Sequence, residues 1–229
     1  MPPLVVAEKP SVARDLARAL GATRRLDSHY EGNGLLVAWA LGHLAELWEP
    51  EDYDPALKRW TLSSLPIVPQ EFRIKPAPGA AKQLQALKAL MRRPDVSLVV
   101  NACDAGREGE LIFRWICRLA GCRKPVMRLW LSEATPEAIR AAFSRLRDPR
   151  ELDGLAAAAE ARAHADWLVG INATRAFTVR LGELYSVGRV QTPALAMLVE
   201  REREIRAFRP ETYWEVWAEF ETARGERFR

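Results

Sequence analysis

The chain has 229 residues, of which 48% are hydrophobic and 28% are charged. This composition is ordinary for a globular protein and excludes wholesale disorder and a fibrous repeat. No apolar run is long enough to span a bilayer and no signal-like segment opens the chain, so we expect a cytoplasmic protein without a membrane partner. The three cysteines, Cys103, Cys117 and Cys122, form neither an even set for disulfides nor the Cys-x-x-Cys spacing of a zinc ribbon.

The formal net charge is +4, and most of the 34 basic residues are arginine. The positive surplus lies in residues 1–150, whereas residues 151–229 are slightly acidic. Guanidinium groups suit phosphate oxygens, so this balance permits a nucleic-acid partner without requiring one.

Strands and helices are predicted to alternate over the first 150 residues. A buried strand at residues 4–7 precedes the turn Glu8-Lys9-Pro10, and then a helix that Ser11 has the chemistry to cap and that Gly21 ends. The further predictions are strands at 35–41, 98–100 and 126–131, helices at 80–92, 108–119 and 136–146, and an ordered segment without clear periodicity at 48–80. Such alternation is typical of an α/β fold with a largely parallel sheet.

The sequence changes character after residue 150. Residues 151–181 are rich in alanine and contain no proline, which predicts one or two long helices, and 190–206 predicts another. Residues 213–220 alternate as a half-exposed strand does. We therefore predict domains at 1–150, 151–210 and 211–229, the last being the start of a strand-rich unit.

Acidic residues follow two of the predicted strands. Glu8 follows the first strand, and Asp104 and Glu108 follow the strand at 98–100. If these strands are neighbours, the carboxylates meet at the carboxyl edge of the sheet, where α/β proteins bind ligands. Because like charges repel at short range, such a cluster is expected to hold a proton or a cation, with Mg²⁺ the natural candidate. The alternative is that each acid is a solvated loop or helix-start residue, and Glu108 is stabilised at a helix N-terminus in any case.

Four ordered motifs carry a family resemblance over nearly the whole chain. Ala7-Glu8-Lys9-Pro10-Ser11 and the segment Asp104-Ala105-Gly106-Arg107-Glu108-Gly109-Glu110 resemble the two halves of a Toprim domain. The segments 161–167 and 186–194 resemble type IA DNA topoisomerases, in the form found in the bacterial topoisomerase III branch. This resemblance implies a Rossmann-like Toprim fold, then an all-helical segment and the start of a β-rich domain. It also implies Mg²⁺-dependent, ATP-independent breakage, passage and rejoining of single-stranded DNA near the nucleoid.

The resemblance implies roles for several residues of the Toprim motifs. Glu8, Asp104 and Glu108 would hold Mg²⁺, and Glu8, Lys9 and Arg107 would act on the scissile phosphate, where a cation offsets developing negative charge. Lys9 alternatively pairs with Glu8 across the turn, and Arg107 is alternatively an exposed residue at the start of a helix.

One position departs from the family pattern Asp-x-Asp-x-Glu. Gly106 stands where the second aspartate is usual, so a single, weaker magnesium site is favoured over a two-metal site. Glu110 is a poor substitute, because two residues beyond Glu108 on a helix it points to a different face.

The predicted DNA-binding residues are Arg162, Asp166, Arg189, Gln191 and Thr192. Arg162 and Asp166 are four residues apart and share a helix face, so they are expected to form a weak local pair. The resemblance places this face along the groove for single-stranded DNA. Arg189, Gln191 and Thr192 occupy a turn that enters the next helix, where they either contact phosphate and sugar oxygens or cap the helix.

His164 and most of the tryptophans are predicted to have structural roles. His164 is expected to pack or hydrogen-bond instead of taking part in catalysis. The tryptophans are scattered and are predicted to lie mostly in the core instead of stacking on bases; they are Trp39, Trp48, Trp60, Trp115, Trp130, Trp167, Trp214 and Trp217.

The resemblance also implies a nucleophilic tyrosine within Tyr-x-Arg-Thr or Tyr-x-Arg-Ser. None of the four tyrosines, Tyr30, Tyr53, Tyr185 and Tyr213, lies in such a segment. We therefore expect a missing C-terminal part of the same enzyme to supply the nucleophile, and the isolated chain not to cleave DNA alone. The alternatives are a non-catalytic module that binds single-stranded DNA, or another Toprim enzyme such as a primase or nuclease, although these lack the segment 186–194.

Overall fold

A computed structural model describes all residues from 1 to 229. The chain divides into two compact units, residues 1–188 and 189–229, and each is described by itself. The strands of the first unit are β1 (Leu4–Ala7), β2 (Arg24–Arg25), β3 (His29–Gly32), β4 (Leu35–Trp39), β5 (Ala45–Leu47), β6 (Ile74–Pro76), β7 (Val99–Ala102) and β8 (Val126–Arg128). Its helices are α1 (Pro10–Leu20), α2 (Pro50–Tyr53), α3 (Ala81–Arg92), α4 (Arg107–Ala120), α5 (Pro136–Phe143) and α6 (Asp153–Leu181), with 3-10 turns at Pro55–Lys58, Leu62–Ser64 and Pro149–Leu152.

Six strands form the main sheet in the order β2-β3-β4-β1-β7-β8. The strands β4, β1, β7 and β8 are parallel, which confirms the predicted α/β fold with a largely parallel sheet. The sequence does not predict the antiparallel strands β2, at the edge of the sheet, and β3 beside it, because polar residues such as His29 and Glu31 interrupt the apolar pattern there. A separate two-stranded sheet pairs β5 with β6 and lies within the segment that had shown no clear periodicity.

The parallel strands are buried on both faces, as their continuous apolar sequences require. On one face the sheet packs against α3 and α4 through residues such as Leu87 and Ile116, both fully buried. On the other face it packs against α1 and α5 through residues such as Leu16 and Ile139. The core thus consists of one sheet between two helical layers. This packing holds the parallel strands side by side, so their carboxyl ends lie along one edge of the sheet.

Helix α1 shows how the turn after β1 is built. The helix begins at Pro10, where the missing N–H and fixed φ of proline suit the first helical position. Ser11 therefore lies inside the helix, so the prediction that it is the N-cap is wrong, and Lys9 takes the capping position without a side-chain bond. Gly21 ends the helix with φ 85°, in the left-handed region that favours glycine.

Residues 153–181 form one helix, α6, and not two. It packs on α4, where Trp115 and Ala159 share a small buried cluster. Arg114 of α4 donates to the Asp153 carboxylate at 2.8 Å and to the Pro149 carbonyl at 3.0 Å, and these bonds hold the beginning of α6 against α4. No helix of the chain is both long enough and apolar enough to cross a membrane.

The second unit contains α7 (Gln191–Ala207), β9 (Phe220–Glu221) and β10 (Arg227–Phe228). The strand predicted over residues 213–220 is wrong, because pairing begins only at Phe220, where β9 and β10 form a short antiparallel hairpin. Gly225 has φ 81° in the turn of this hairpin. An alternating pattern alone does not make a strand, since the backbone also needs a partner for its N–H and C=O groups.

Candidate active site

The sheet brings Glu8 to the loop that carries Asp104. In the register of β1, Ala7 lies between Trp39 of β4 and Ala102 of β7, so the residues that follow all three strands leave at one edge. The Glu8 side chain is almost buried there, and its Oε2 accepts a hydrogen bond from the backbone N–H of Asp104 at 3.3 Å. The segment after β1 and the segment after β7, which we predicted to lie close together, are therefore in contact.

Glu108 lies in the exposed first turn of α4 and contacts a residue that sequence reasoning missed. Its Oε2 is 3.7 Å from Nε2 of His43, on the loop after β4. No group of three or more His, Cys, Asp or Glu side chains in the chain is arranged to hold a metal ion. The structure thus joins Glu8 to the Asp104 loop and Glu108 to His43, without gathering the three carboxylates around one point.

The residue types of this edge nevertheless fit a magnesium ion. Carboxylate oxygens are the ligands that Mg²⁺ prefers, and the almost buried Glu8 carboxylate faces one backbone N–H and the Lys9 ammonium, whose Nζ lies 3.6 Å from Oε1. This contact is the Lys9–Glu8 ion pair, the alternative to phosphate contact that the sequence analysis gave for Lys9. Arg107 is the exposed first residue of α4.

A buried arginine supports the Asp104 loop from below. Arg128, at the end of β8, is only 1% exposed and donates to the carbonyl oxygens of Asn101 at 3.0 Å, Cys103 at 2.7 Å and Asp104 at 2.7 Å. These three contacts fix the path of the backbone from the end of β7 to Asp104. Arg128 is thus a positioning residue for the candidate site.

Glu110 is the counter-ion of Arg128. Its Oε1 lies 2.7 Å from Arg128 Nε in an ion pair without hydrogen-bond alignment, and it accepts hydrogen bonds from Asn101 at 3.0 Å and Arg114 at 3.2 Å. Burial lowers the pKa of Arg128, an effect that Glu110 opposes. Glu110 therefore points into the protein and away from the carboxyl edge, in agreement with the face assigned to it from the sequence. The signal that could have revealed this pair is an arginine and a glutamate within otherwise apolar segments.

A cavity of about 410 Å³ lies between Glu108 and α6. His43 and Glu108 line one part of it, and Arg162, Asp166 and Trp167 of α6 line another. Arg162 and Asp166 form the expected pair, with Nε and Oδ2 3.6 Å apart. The structure therefore brings this predicted DNA-binding pair to the same cavity as Glu108.

The remaining predicted residues have separate surroundings. His164 packs as predicted, because its ring stacks on Phe72 with 4.0 Å between centroids, and burial lowers its pKa. Arg189, Gln191 and Thr192 belong to the second unit. Only Arg189 lies in the turn predicted for all three, because Val190 is the N-cap of α7 and Gln191 and Thr192 are its first two residues. Their contact with DNA stays a prediction.

Two family models match the chain in succession. The model of the Toprim domain matches residues 3–134, and a model described as DNA topoisomerase matches residues 150–229. The match of the first model includes Glu8, Asp104, Glu108 and Arg128, so the edge described above lies entirely within it.

Curated relatives and a solved structure agree with these matches. The chain is 48% identical to DNA topoisomerase 3 of Shouchella clausii over 98% of this chain and 31% of that protein. It is 47% identical to DNA topoisomerase 3 of Bacillus subtilis over 94% of this chain and 30% of that protein. Full-length topoisomerase I from Thermotoga maritima superposes with a TM-score of 0.64 at 27% identity, over 91% of this chain and 31% of that chain.

The chain thus spans about a third of the length of the relatives it matches. Over that length, the two family models and the relatives all indicate a DNA topoisomerase with a Toprim domain. The parallel sheet with acidic residues at its edge is consistent with that domain. The chain belongs to the Toprim family through residues 3–134, and over nearly its whole length it is similar to the first third of bacterial DNA topoisomerases 3.

Proposed function

We propose that this chain forms the metal and phosphate site of a type IA topoisomerase that breaks, passes and rejoins single DNA strands without ATP. The observation that carries the proposal is the pairing of β1 with β7, which holds the Glu8 carboxylate 3.3 Å from the Asp104 backbone N–H. The proposed organisation is a Toprim domain at 1–150, a helical groove domain at 151–210 and the start of a strand-rich domain at 211–229. The substrate, single-stranded DNA, would lie in the nucleoid of the cytoplasm.

In this proposal Glu8, Asp104 and Glu108 hold Mg²⁺, and Glu108 leaves His43 to do so. When bound, the metal would offset negative charge on the scissile phosphate. Lys9 keeps an exposed ammonium beside Glu8 and is proposed to contact a non-bridging phosphate oxygen. Arg107 is proposed to do the same from the start of α4.

The covalent step requires a tyrosine from outside this chain. Its hydroxyl oxygen would attack phosphorus, the bond from phosphorus to the 3′ oxygen would break, and the 3′ hydroxyl would leave with a proton. Attack of that hydroxyl on the phosphorus of the 5′-phosphotyrosyl group would break the bond to the tyrosine oxygen, return the proton to it and restore the strand, so no ATP is consumed. Within this chain, Arg162 and Asp166, together with Arg189, Gln191 and Thr192, are proposed to hold the strand while this occurs.

Magnesium titration of matched variants tests the metal assignment. Asp104→Asn should lower Mg²⁺ affinity about tenfold or more in calorimetry, because it removes a charged ligand. Asp15→Asn changes an exposed aspartate elsewhere and should leave the affinity unchanged. Equal affinities in the wild type and Asp104→Asn would remove the metal site from the proposal.

Replacing Gly106 with the aspartate of the family pattern gives a variant in which we expect a higher Mg²⁺ affinity. Gly106 has an extended backbone with φ −177°, and a Cβ there would meet no atom within 4 Å. Gly106→Asp should therefore fit without strain and raise Mg²⁺ affinity several-fold by adding the carboxylate that the family pattern has. A fall in affinity would contradict a magnesium site at this loop.

A complementation assay tests the activity. The chain mixed with the C-terminal part of a topoisomerase III should relax supercoiled DNA in Mg²⁺, and Glu8→Ala should abolish this. If both pieces fold and no relaxation follows, while strand binding is salt-sensitive and indifferent to Glu8→Ala, the chain is a non-catalytic module that binds single-stranded DNA.

A further inference from the structure

The end of α4 brings two of the three cysteines together. Gly121 follows the helix with φ 64°, in the left-handed region, and its N–H donates to the Arg118 carbonyl at 3.3 Å. The next N–H, that of Cys122, donates to the Cys117 carbonyl at 3.0 Å. These two bonds form a Schellman motif, in which the side chains of the outer pair commonly touch. Both thiols are half-buried against the same apolar core, so the end of α4 pairs Cys117 with Cys122.

The separation of these two residues suits a disulfide. With standard bond lengths, the 3.0 Å hydrogen bond between their backbones holds the two Cα atoms within about 7 Å of each other. That is the longest Cα separation that a disulfide bridges without movement of the backbone. The side chains are in direct contact as well, because the Cys117 thiol donates a hydrogen bond to the Cys122 sulfur. Both thiols are free, so the bond between them is still to be formed.

The two thiols differ in their readiness to react. The pKa of Cys122 is lowered to about 6 by the hydrogen bond from Cys117 and by the backbone N–H and ammonium of Lys124, which together outweigh its burial. The Lys124 ammonium is held in place by a 2.8 Å hydrogen bond to the Val96 carbonyl. The pKa of Cys117 is raised by the hydrogen bond to Cys122 and by burial, so Cys117 stays a thiol at neutral pH. A partly exposed thiolate beside a second cysteine is the usual arrangement of a redox-sensitive pair.

Cys103 has none of these features and provides an internal reference. It directly follows β7, is 3% exposed and donates its thiol proton to the Val6 carbonyl. Burial raises its pKa. Because peroxides react with exposed thiolates, Cys103 is expected to stay reduced while the pair at the end of α4 is oxidised.

We propose that Cys117 and Cys122 are a modification site for hydrogen peroxide, which oxidises the pair to a reversible disulfide at the end of α4. The Cys122 thiolate attacks one peroxide oxygen, the O–O bond breaks, and hydroxide leaves while Cys122 becomes a sulfenic acid. The Cys117 sulfur then attacks the Cys122 sulfur, the S–O bond breaks, and the hydroxyl leaves with the Cys117 proton as water. Two electrons pass from the two sulfurs to one peroxide. Because Cys117 traps the sulfenic acid, Cys122 is protected from irreversible oxidation to a sulfinic acid.

Peptide mass spectrometry of the reduced chain tests this inference. The chain is treated with hydrogen peroxide at neutral pH, blocked with N-ethylmaleimide and digested with trypsin, which cuts after Arg118, between the two cysteines. The peptides Trp115–Arg118 and Leu119–Arg123 should be recovered joined by a disulfide, and dithiothreitol added before the block should separate them. Cys103 should carry the maleimide label throughout.

Variants at the end of α4 test the role given to each side chain. Cys122→Ser should slow the oxidation of Cys117 about tenfold or more, because the remaining thiol is not ionised at neutral pH. Cys117→Ser should leave Cys122 reactive but should stop at a sulfenic acid, which dimedone captures and excess peroxide converts to a sulfinic acid. Lys124→Met should slow the oxidation of Cys122 several-fold, whereas Lys82→Met, at an exposed position of α3, should not change the rate.

The wild-type chain alone decides whether the pair exists. If the two peptides are never recovered joined, or if Cys103 is oxidised as fast as Cys122, the inference is overturned whatever the variants do. Equal rates of oxidation for Cys117 in Cys122→Ser and for Cys122 in Cys117→Ser would overturn the assignment of Cys122 as the attacking thiolate. Serine is close to cysteine in volume and both positions are half-buried, so both variants are expected to fold, and circular dichroism checks this.

Discussion

Two arginine–carboxylate pairs of the first unit differ in their surroundings. The Arg128–Glu110 pair beneath the Asp104 loop has side chains that are 1% and 3% exposed, with 2.7 Å between Nε and Oε1. The Arg162–Asp166 pair on α6 has side chains that are 40% and 42% exposed, with 3.6 Å between its charged atoms. The first pair is isolated from water and bound to backbone carbonyls, whereas water and salt screen the second. An arginine paired with a carboxylate thus supports the backbone of the Asp104 loop in one place and lies at the water-exposed surface of a helix in the other.

Removal of Arg128 is expected to have the largest effect on stability. Arg128→Met leaves the Glu110 carboxylate buried without its main counter-ion and removes the guanidinium hydrogen bonds to the carbonyls of Asn101, Cys103 and Asp104. Breaking a buried pair in this way costs about 3–5 kcal/mol of unfolding free energy. Urea denaturation of the wild type and the variant measures the difference.

A double variant shows whether the uncompensated charge causes that loss. Arg128→Met combined with Glu110→Leu removes both charges and should recover much of the stability, since apolar residues often replace a buried pair at little cost. Its Mg²⁺ affinity should stay low, because the Asp104 loop still lacks its donor. Wild-type affinity in the double variant would show that Arg128 has no positioning role.

A substitution at Gly109 tests how rigidly the Arg128–Glu110 pair holds the Asp104 loop. A Cβ at Gly109 would collide with the Asp104 carbonyl oxygen, so Gly109→Ala must displace either the loop or α4. Overpacking of this kind costs about 1–3 kcal/mol, and both thermal stability and Mg²⁺ affinity should fall. Gly106→Ala, three residues earlier where a Cβ meets nothing, is the control and should be neutral or slightly stabilising. Equal stabilities for the two variants would mean that the loop yields easily.

The sequence predicts the adjacency of Glu8 and Asp104 because each follows an apolar strand, and buried parallel strands end at a common edge. It does not predict His43, which follows β4 in a loop without periodicity and reaches the edge only through the strand order. Arg128 escapes prediction for another reason. The sequence shows an arginine within an apolar segment, but it does not show that the carbonyls at the end of β7 and the Glu110 carboxylate provide the partners that allow its burial. Trp130 likewise was expected in the core and lies in the wall of a cavity.

The exposed pair should give the smallest change in stability. Arg162→Ala removes one i, i+4 ion pair and should lower the unfolding free energy by only about 0.2–0.5 kcal/mol. If Arg162 contacts a phosphate, the same change should weaken binding of single-stranded DNA and reduce the slope of log affinity against log salt by about 0.7. Arg180→Ala, an exposed arginine near the end of the same helix, is the matched control. A smaller slope in Arg162→Ala alone would assign the exposed pair to the DNA groove, whereas equal slopes in the two variants would make Arg162 an ordinary surface charge. Arg128 and Arg162 would then differ in burial only, and Arg162 would have no role in binding DNA.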